Sequence, residues 1–221
     1  MFKQAAEDLK AKIELSGRIP IELVSQVLDY YRCVLEGNRI QNLTRILDPV
    51  EFFDKNVLDV LELQNSGFLS GATADLGSGA GVPGLLHGAM YSNQKWVLLE
   101  SERNKAEFLR NTCKTLRLVN VYVEAARGET ILDALEAECV VVRAVGATDK
   151  IIRLLSKCST WNRLILFKGP KWDEEWARCQ KKRLANGFKS PRVHDYSTGD
   201  RIRKIILLER FHVEQPSTPR K

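Results

Sequence analysis

The fold of this chain is decided by residues 72–84, which read ATADLGSGAGVPG. A short apolar run comes first and carries Asp75 near its end. Gly77, Gly79 and Gly81 then alternate, and a proline and a fourth glycine follow. This order predicts a strand, a tight turn and a helix start, because glycine adopts turn conformations readily and lets the backbone approach a ligand closely. We expect the loop to wrap around a nucleoside cofactor.

The glycines can be interpreted in two frames. Residues 79–84 satisfy Gly-x-Gly-x-x-Gly, the dinucleotide fingerprint, and residues 75–81 satisfy Asp-x-Gly-x-Gly-x-Gly, the S-adenosylmethionine signature. In the dinucleotide fingerprint the first glycine directly follows the strand. Here Gly77 occupies that position, and Gly79 comes two residues later. The second frame also accounts for Asp75, for which a dinucleotide fold has no use. S-adenosylmethionine is therefore favoured, with a nicotinamide site and a purely structural turn as the alternatives.

The rest of the chain fits one domain with a small extension, since it has 221 residues. Helical spacing of apolar residues predicts helices before Gly71, the second of them ended by Gly37 and Asn38. After Gly71, apolar strands alternate with helices, which is typical of parallel strand–helix–strand units. A closing β-hairpin is expected around a turn at residues 197–200. The predicted strands are residues 72–76, 96–100, 121–125, 139–144 and 163–168, then about 190–196 and 203–211.

The fold class expected from this order is α/β, a class I S-adenosylmethionine-dependent methyltransferase. It would have a Rossmann-like, seven-stranded, mostly parallel sheet with a C-terminal antiparallel hairpin. We predict an N-terminal helical extension over residues 1–65, packed as a cap on a methyltransferase domain over residues 66–212. Residues 213–221 are expected to form a flexible tail.

The charge of the chain is unevenly distributed. Residues 1–150 hold 17 Lys and Arg against 21 Asp and Glu, a net charge of −4, whereas residues 151–221 hold 17 against 7, a net charge of +10. A basic half on a mildly acidic protein predicts a polyanionic partner such as nucleic acid, with a solvated basic surface as the alternative.

The sequence also favours some surroundings over others. No apolar run approaches the roughly 20 residues that span a membrane, and no signal peptide is recognised. We therefore expect a cytoplasmic protein without a membrane partner. The five cysteines are widely spread and lack zinc-site spacing, so reduced thiols and no metal are expected.

The ends of the predicted strands carry candidate site residues. Glu100 ends the second strand, where its carboxylate can accept hydrogen bonds from both ribose hydroxyls. Gly128 and Glu129 follow the third strand, where this architecture usually holds the adenine. Arg143 follows the fourth strand and Lys168 the fifth, and both are predicted to be catalytic by positioning the reacting groups. Arg143 can bind a guanine edge, stack on the base or hold a phosphate.

Signatures of other methyl acceptors are missing. Residues 143–146 read RAVG, not the Asn/Asp-Pro-Pro-aromatic motif typical of amine methylation. Cys139 opens its strand and Cys158 is predicted on a helix, so neither is placed as the nucleophile that pyrimidine carbon methylation needs. N7 of guanine fits best, because its lone pair is free and no proton has to leave. Such a site needs alignment and not a general base, and the histidines are predicted to be structural or exposed.

The chain resembles the bacterial small-subunit ribosomal RNA guanine-N7 methyltransferases, also called the glucose-inhibited division protein B family. The similarity covers roughly residues 25–210. The shared motifs run in the same order along the chain: Asn42-Leu43-Thr44, the glycine loop, Leu98-Leu99-Glu100-Ser101, Arg143-Ala144 and Lys168-Gly169.

The resemblance implies a cytoplasmic enzyme that methylates N7 of a guanine, the 527-type position in the 530 loop of 16S rRNA in the small ribosomal subunit. It places Gly77, Val82, Gly128, Glu129 and Arg143 at the family's cofactor-binding positions, which puts Arg143 on the cofactor side. Together with the loop motif and Glu100, the predicted cofactor-binding set is Asp75, Gly77, Gly79, Gly81, Val82, Glu100, Gly128, Glu129 and Arg143.

Two departures from the family pattern stand out. Lys55-Asn56 occupies the place of the usual Lys/Arg-His, so residues 54–59 are expected to contact RNA differently. The tail from Phe211 is not a recognised family feature. A small-molecule methyltransferase on the same fold and a non-catalytic RNA-binding protein are the alternative functions, and a monomer is expected.

Overall fold

The structure is a computed structural model that describes residues 2–199 and 201–211. The predicted tail and His212 lie outside the described residues. The helices are α1 (Phe2–Ser16), α2 (Val24–Ile40), α3 (Pro49–Phe52), α4 (Leu58–Ser66), α5 (Gly84–Met90), α6 (Arg103–Thr115), α7 (Gly128–Ile131), α8 (Thr148–Leu155) and α9 (Trp172–Lys181). The strands are β1 (Thr73–Leu76), β2 (Trp96–Leu99), β3 (Val121–Glu124), β4 (Cys139–Val142), β5 (Arg163–Lys168), β6 (Arg192–Thr198) and β7 (Arg201–Glu209).

The strands of the described residues form one sheet in the order β3-β2-β1-β4-β5-β7-β6. The pairs among β1 to β5 are parallel, and β7 pairs antiparallel with both β5 and β6. The strand order reverses between β1 and β4. In open α/β sheets ligands bind at the carboxyl ends of the strands beside such a reversal, where the glycine loop follows β1.

Apolar clusters cover both faces of the sheet, because alternate strand residues point to opposite sides. In β4, Val141 belongs to the cluster that contains the N-terminal helices, whereas Val140 and Val142 belong to the cluster under α8 and α9. Leu9 of α1 and Leu98 of β2 share one continuous cluster. The helices before β1 therefore pack as a cap on the sheet; the boundary at residue 65 stays a prediction.

Three local predictions were wrong. Helix α2 continues through Gly37 to Ile40, and Gly37 serves close packing within it, since a Cβ there would lie 2.6 Å from the Phe108 ring of α6. Strand β6 continues to Thr198, which pairs with Arg201, so the hairpin turn is shorter than residues 197–200. Cys158 lies beyond the end of α8, and it is buried.

Candidate active site

The glycine loop folds back from the end of β1 onto the start of α5. The amide of Gly77 donates to the Leu99 carbonyl at 2.9 Å, and the amide of Gly81 donates to the Ser78 carbonyl at 2.7 Å. Gly77, Gly79 and Gly81 have φ of +75°, +56° and +101°. L side chains rarely adopt this region, so the alternating glycines are what the turn requires.

Asp75 holds this loop from beneath. It is 1 % exposed, and its Oδ2 accepts a hydrogen bond of 2.9 Å from the amide of Gly84, at the start of α5. Burial raises the pKa of Asp75 to about 7, although the Gly84 amide and the charge of Arg143 oppose the rise. Its contacts tie the strand end to the helix, and it does not line the cavity described below.

Glu100 holds the loop from the side. Its Oε2 accepts a 2.9 Å hydrogen bond from the amide of Gly79, and its Oε1 accepts a 2.8 Å hydrogen bond from the amide of Glu102. Each carboxylate oxygen keeps a further lone pair for a ligand hydroxyl. Gly128 begins α7 against Leu76, where a Cβ would approach the Leu76 side chain to 2.2 Å, and Glu129 beside it is half-buried.

A cavity of about 220 Å³ separates the glycine loop from the cap. The Tyr30 hydroxyl of α2 donates to the Ala80 carbonyl at 2.7 Å across its edge. Leu43 and Thr44 of the Asn42-Leu43-Thr44 motif form part of the wall, and their amides both donate to Asn38 Oδ1. The other lining residues are Val34, Ile46, Phe52, Asn56, Gly77, Ser78, Gly79, Val82, Arg143, Ala144 and Val145.

Arg143 is fixed in this cavity by the cap. Its Nη2 donates to the Lys55 carbonyl at 2.9 Å and to Asn56 Oδ1 at 2.8 Å. Its Nε lies 2.9 Å from Asp59 Oδ2 as an ion pair without hydrogen-bond geometry. Asn56, which departs from the family pattern, is therefore 4 % exposed and bonded to Arg143. Asn56 thereby helps to place Arg143, and the different RNA contact of residues 54–59 stays a prediction.

Asp59 is the site residue that sequence reasoning missed. It is fully buried, and its Oδ1 accepts hydrogen bonds from Arg203 Nη1 at 2.6 Å and from the Tyr196 hydroxyl at 2.5 Å. Burial raises the pKa of the Asp59 carboxyl, and Arg143 and Arg203 oppose that rise. The signal in the sequence was a lone aspartate in an otherwise apolar run, residues 57–61.

Lys168 lies at the end of β5 as predicted, with its charge already paired. Its Nζ donates to the Gly146 carbonyl at 3.1 Å and to Glu175 Oε2 at 2.9 Å. The same carboxylate oxygen accepts hydrogen bonds from the amide and the hydroxyl of Thr148. Lys168 thereby ties the end of β5 to the starts of α8 and α9.

A basic groove of about 790 Å³ meets the cavity at Arg143 and Ala144. We call it the carboxyl-end groove. Its cations come from the cap, from the strand ends and from the hairpin, and Asp173 is the carboxylate among the lining residues. The cations are Lys55, Arg143, Lys168, Arg201, Arg203 and Lys204.

The structure brings most predicted site residues to one place. Gly77, Gly79, Val82 and Arg143 line the cavity, and Lys168 lines the groove that joins it. Asp75, Gly81 and Glu100 support the loop from its buried sides. Gly128 and Glu129 lie at the carboxyl end of β3, next to these residues but outside the cavity wall.

The fold is that of a class I methyltransferase, as solved structures show. The chain resembles MtNAS in complex with MTA and tNA, with a TM-score of 0.57, 17% identity, and coverage of 94% of this chain and 85% of that one. It also resembles the N-terminal domain of human METTL16 in complex with SAH, with a TM-score of 0.53, 14% identity, and coverage of 71% and 69%. The predicted fold class is confirmed.

The sequence defines the family. The family described as rRNA small subunit methyltransferase G matches residues 23–206. Ribosomal RNA small subunit methyltransferase G of Thermotoga petrophila is 32% identical over 185 residues, which cover 81% of this chain and 80% of the relative. That of Mycoplasma capricolum is 33% identical over 204 residues, 90% of this chain and 88% of the relative. The chain belongs to this family of small-subunit rRNA methyltransferases.

The residues at the loop fit S-adenosylmethionine, the cofactor of this family. A Cβ at Gly79 would meet only the Gly77 carbonyl, at 3.9 Å, so the backbone there is open to a ligand. The Glu100 carboxylate has free lone pairs beside that backbone, where a ribose would need acceptors. The predicted cofactor is confirmed, and the individual contacts stay predictions.

Two features are absent from the described residues. Among them, no group of three His, Cys, Asp or Glu side chains is arranged to hold a metal ion. None of their helices combines the length and the apolar character that crossing a membrane requires.

Proposed function

We propose that this chain transfers a methyl group from S-adenosylmethionine to N7 of a guanine in 16S rRNA, at the 527-type position of the 530 loop, as a cytoplasmic monomer. The observation that carries the proposal is the junction of the cofactor-side cavity with the carboxyl-end groove at Arg143. A groove lined by six cations suits a phosphate backbone, which a small-molecule substrate would not need.

The chain's own residues supply binding and alignment at the cofactor. When bound, S-adenosylmethionine supplies an electrophilic methyl group on a positively charged sulfur. Glu100 would accept hydrogen bonds from the ribose hydroxyls, and the backbone of the glycine loop would lie against the cofactor. Arg143 is held through Nη2 and Nε by Asn56 and Asp59, which leaves its Nη1 donors for a ligand where the cavity meets the groove.

Among the described residues, no histidine lines the cavity or the carboxyl-end groove, and Asp173 is the one carboxylate there; this lining supports N7 as the acceptor. His87 is wholly buried between Gln64 and Trp96, and His194 is bonded to Glu62. Neither histidine lines the cavity or the carboxyl-end groove. Lys168 Nζ donates to Gly146 and Glu175, and its third N–H is left to donate to O6 of guanine, the neighbour of N7. N7 needs no proton removed.

The test is methyl transfer with mapping of the product. The full chain is incubated with radiolabelled S-adenosylmethionine and either 16S rRNA or small subunits, and the modified nucleotide is located by mass spectrometry. We expect 7-methylguanosine at one position of the 530 loop. Methylation of an amine or a pyrimidine carbon, or no transfer to either substrate, contradicts the proposal.

A charge-reversal pair tests the role of the carboxyl-end groove. Arg201→Glu removes an exposed cation of the groove, and Lys114→Glu is the matched control on α6. We expect KM for rRNA to rise several-fold in the first variant and to stay unchanged in the control, because only the groove cation neutralises a phosphate. A small-molecule methyltransferase would show neither this rise nor a steep dependence of activity on salt.

A further inference from the structure

A second groove, of about 860 Å³, lies at the opposite end of the sheet. Its lining residues Trp161 and Asn162 directly precede β5, whereas Lys168 ends that strand. A six-residue strand separates these ends by about 17 Å, at roughly 3.3 Å per residue. We call this the amino-end groove, and it is distinct from the active site.

The amino-end groove is lined by cations without carboxylates. Among the described residues that line it, Lys157, Arg183 and Arg210 are basic and none is acidic. Lys157 and Arg183 are exposed, and neither forms an ion pair with the described part of the chain. The neighbouring Lys182, in contrast, is paired with Asp149. The groove therefore presents positive charge that the protein itself does not neutralise.

Arg210 is fixed in the floor of this groove. Its guanidinium lies 3.5 Å from the centre of the Trp161 ring and donates to the carbonyls of Leu155, Cys158 and Trp161. The one carboxylate that acts on it electrostatically, Asp133, already accepts hydrogen bonds from the loop at Ser159. The charge of Arg210 is thus held in place by neutral groups.

The uncharged lining residues suit a nucleotide. Phe211 at the rim is 54 % exposed, and an exposed ring is a platform on which bases stack. Hydroxyl and amide side chains, which commonly contact phosphate and sugar, make up much of the remaining wall: Ser156, Ser159, Thr160, Asn162 and Asn186.

Arg183 lies in the groove lining directly after the end of α9. Its φ is +57°, in the left-handed region that disfavours residues with a side chain. Glycine or asparagine would relieve that strain. Helices commonly end on a residue in this conformation, and Arg183 directly follows the C-cap of α9, so the end of the helix sets its place at the groove.

We propose that the amino-end groove binds a single-stranded segment of small-subunit rRNA outside the methylated loop. Charge complementarity and the exposed ring identify the occupant. The cations of this groove belong to the +10 half, and none of them lines the carboxyl-end groove. The inference rests on the proposed function for the RNA substrate. With both grooves engaged, the enzyme would hold the RNA at two points about a strand length apart.

A double charge reversal tests this site in the full chain. Lys157→Glu with Arg183→Glu is compared with Lys3→Glu and Lys114→Glu, which change the net charge equally at exposed positions elsewhere. We expect KM for full-length 16S rRNA to rise about tenfold, with kcat and calorimetric affinity for S-adenosylhomocysteine unchanged. The slope of log KM against log salt should fall by about 1.4, since two phosphate contacts to single-stranded RNA are lost.

A short RNA separates the two grooves. A fragment that holds only the 530 loop should bind the groove variant and the wild type equally. Equal KM and salt slope of variant and control on full-length rRNA would overturn the proposal, as would a defect that is the same on the short fragment. If the double reversal does not bind S-adenosylhomocysteine, the milder pair Lys157→Gln and Arg183→Gln is measured in its place.

Ultraviolet cross-linking gives a readout that does not depend on methyl transfer. Wild-type protein bound to 16S rRNA should yield RNA-linked peptides that contain Phe211 or residues 157–163. Linked peptides from the carboxyl-end groove alone would overturn the proposal. A wild type that binds 16S rRNA at the amino-end groove but transfers no methyl group would contradict the proposed function and leave this inference supported. Tighter RNA binding after removal of residues 212–221 would instead assign the groove to the tail.

Discussion

Asp59 places a buried negative charge between Arg143 of β4's following loop and Arg203 of the hairpin. A buried charge is costly unless it is paired, so each of the three residues depends on the others. The pairing has a structural effect beyond stability, because it connects the cap, the strand ends and the last strand at one carboxylate. Arg143 therefore owes its position in part to Asp59, which lines neither the cavity nor the carboxyl-end groove.

A second single residue, Glu100, can be tested directly: Glu100→Gln should weaken the binding of S-adenosylhomocysteine about tenfold or more. The amide oxygen can still accept from Gly79, but the variant loses the charge that strengthens hydrogen bonds from the ribose hydroxyls, which is worth about 1.5–3 kcal/mol. Isothermal titration calorimetry measures the change. Glu102→Gln is the matched control on the adjacent exposed carboxylate, and equal affinities of the two variants would remove Glu100 from the cofactor site.

His87 makes stability depend on pH. Burial lowers its pKa to about 3, so the folded protein keeps it neutral where the unfolded chain, with a pKa of about 6.5, takes up a proton. The unfolded state thus binds more protons below about pH 6.5, and stability is lost as the pH falls. Between pH 7 and pH 5 this loss should be about 2 kcal/mol.

The variant His87→Gln isolates that contribution. Glutamine keeps a hydrogen-bonding group between Gln64 and Trp96 but does not titrate. Urea unfolding at pH 7 and pH 5 should show a fall in free energy of unfolding that is about 2 kcal/mol smaller in the variant than in the wild type. The same fall in both proteins would show that His87 is protonated in the folded state.

Among the elements, the contact of α2 with α6 depends on Gly37. In an exposed helix, glycine to alanine would stabilise by about 1 kcal/mol. Here the new methyl group would press on the Phe108 ring and on Leu43 of the cavity wall, at 2.6 and 2.7 Å. We expect Gly37→Ala to lower the free energy of unfolding by about 1–3 kcal/mol.

Urea unfolding with Gly187→Ala as the control checks this prediction. A Cβ at Gly187 meets nothing within 4 Å, so that variant should stay within about 0.5 kcal/mol of the wild type. A stabilised Gly37→Ala protein would mean that α6 moves away at little cost.

The same glycine shows what the sequence could predict. The five parallel strands were placed within two residues, because short apolar runs between turn residues are a local signal. The glycine loop and Glu100 were predicted for the same reason. Gly37 was mistaken for a helix end, since the ring that requires it lies far away on α6. Asp59 was missed likewise, because its partners Arg143 and Arg203 are brought to it only by the fold.

For the molecule as a whole, the cap and the sheet share one apolar cluster and should unfold together. Leu9 of α1 is fully buried in that cluster, so Leu9→Ala should cost about 2–5 kcal/mol. The four tryptophans all follow residue 90, so their fluorescence reports the sheet, whereas circular dichroism reports all helices. Both signals should shift together. Leu15→Ala on the same helix is the control, since Leu15 is 87 % exposed, and separate transitions would make the cap an independent unit.

The two grooves show where the basic residues of the C-terminal half lie in the fold. The basic half supplies cations to both ends of the sheet, near Lys168 at one end and near Arg210 at the other. The charge of this half predicted a polyanionic partner but not two separate surfaces. There are two because β5 runs through this half, so that its basic residues lie at one end of the strand or at the other.

Strand β7 has a consequence for the time at which the enzyme becomes active. It is last in chain order but lies inside the sheet, between β5 and β6. While a nascent chain still lacks it, the β5 edge has no partner and Asp59 has not met Arg203. Unpaired edges of this kind promote association with other chains. Synthesis must therefore pass Glu209 before the arginine cluster and the groove exist, so an incomplete chain cannot assemble this site.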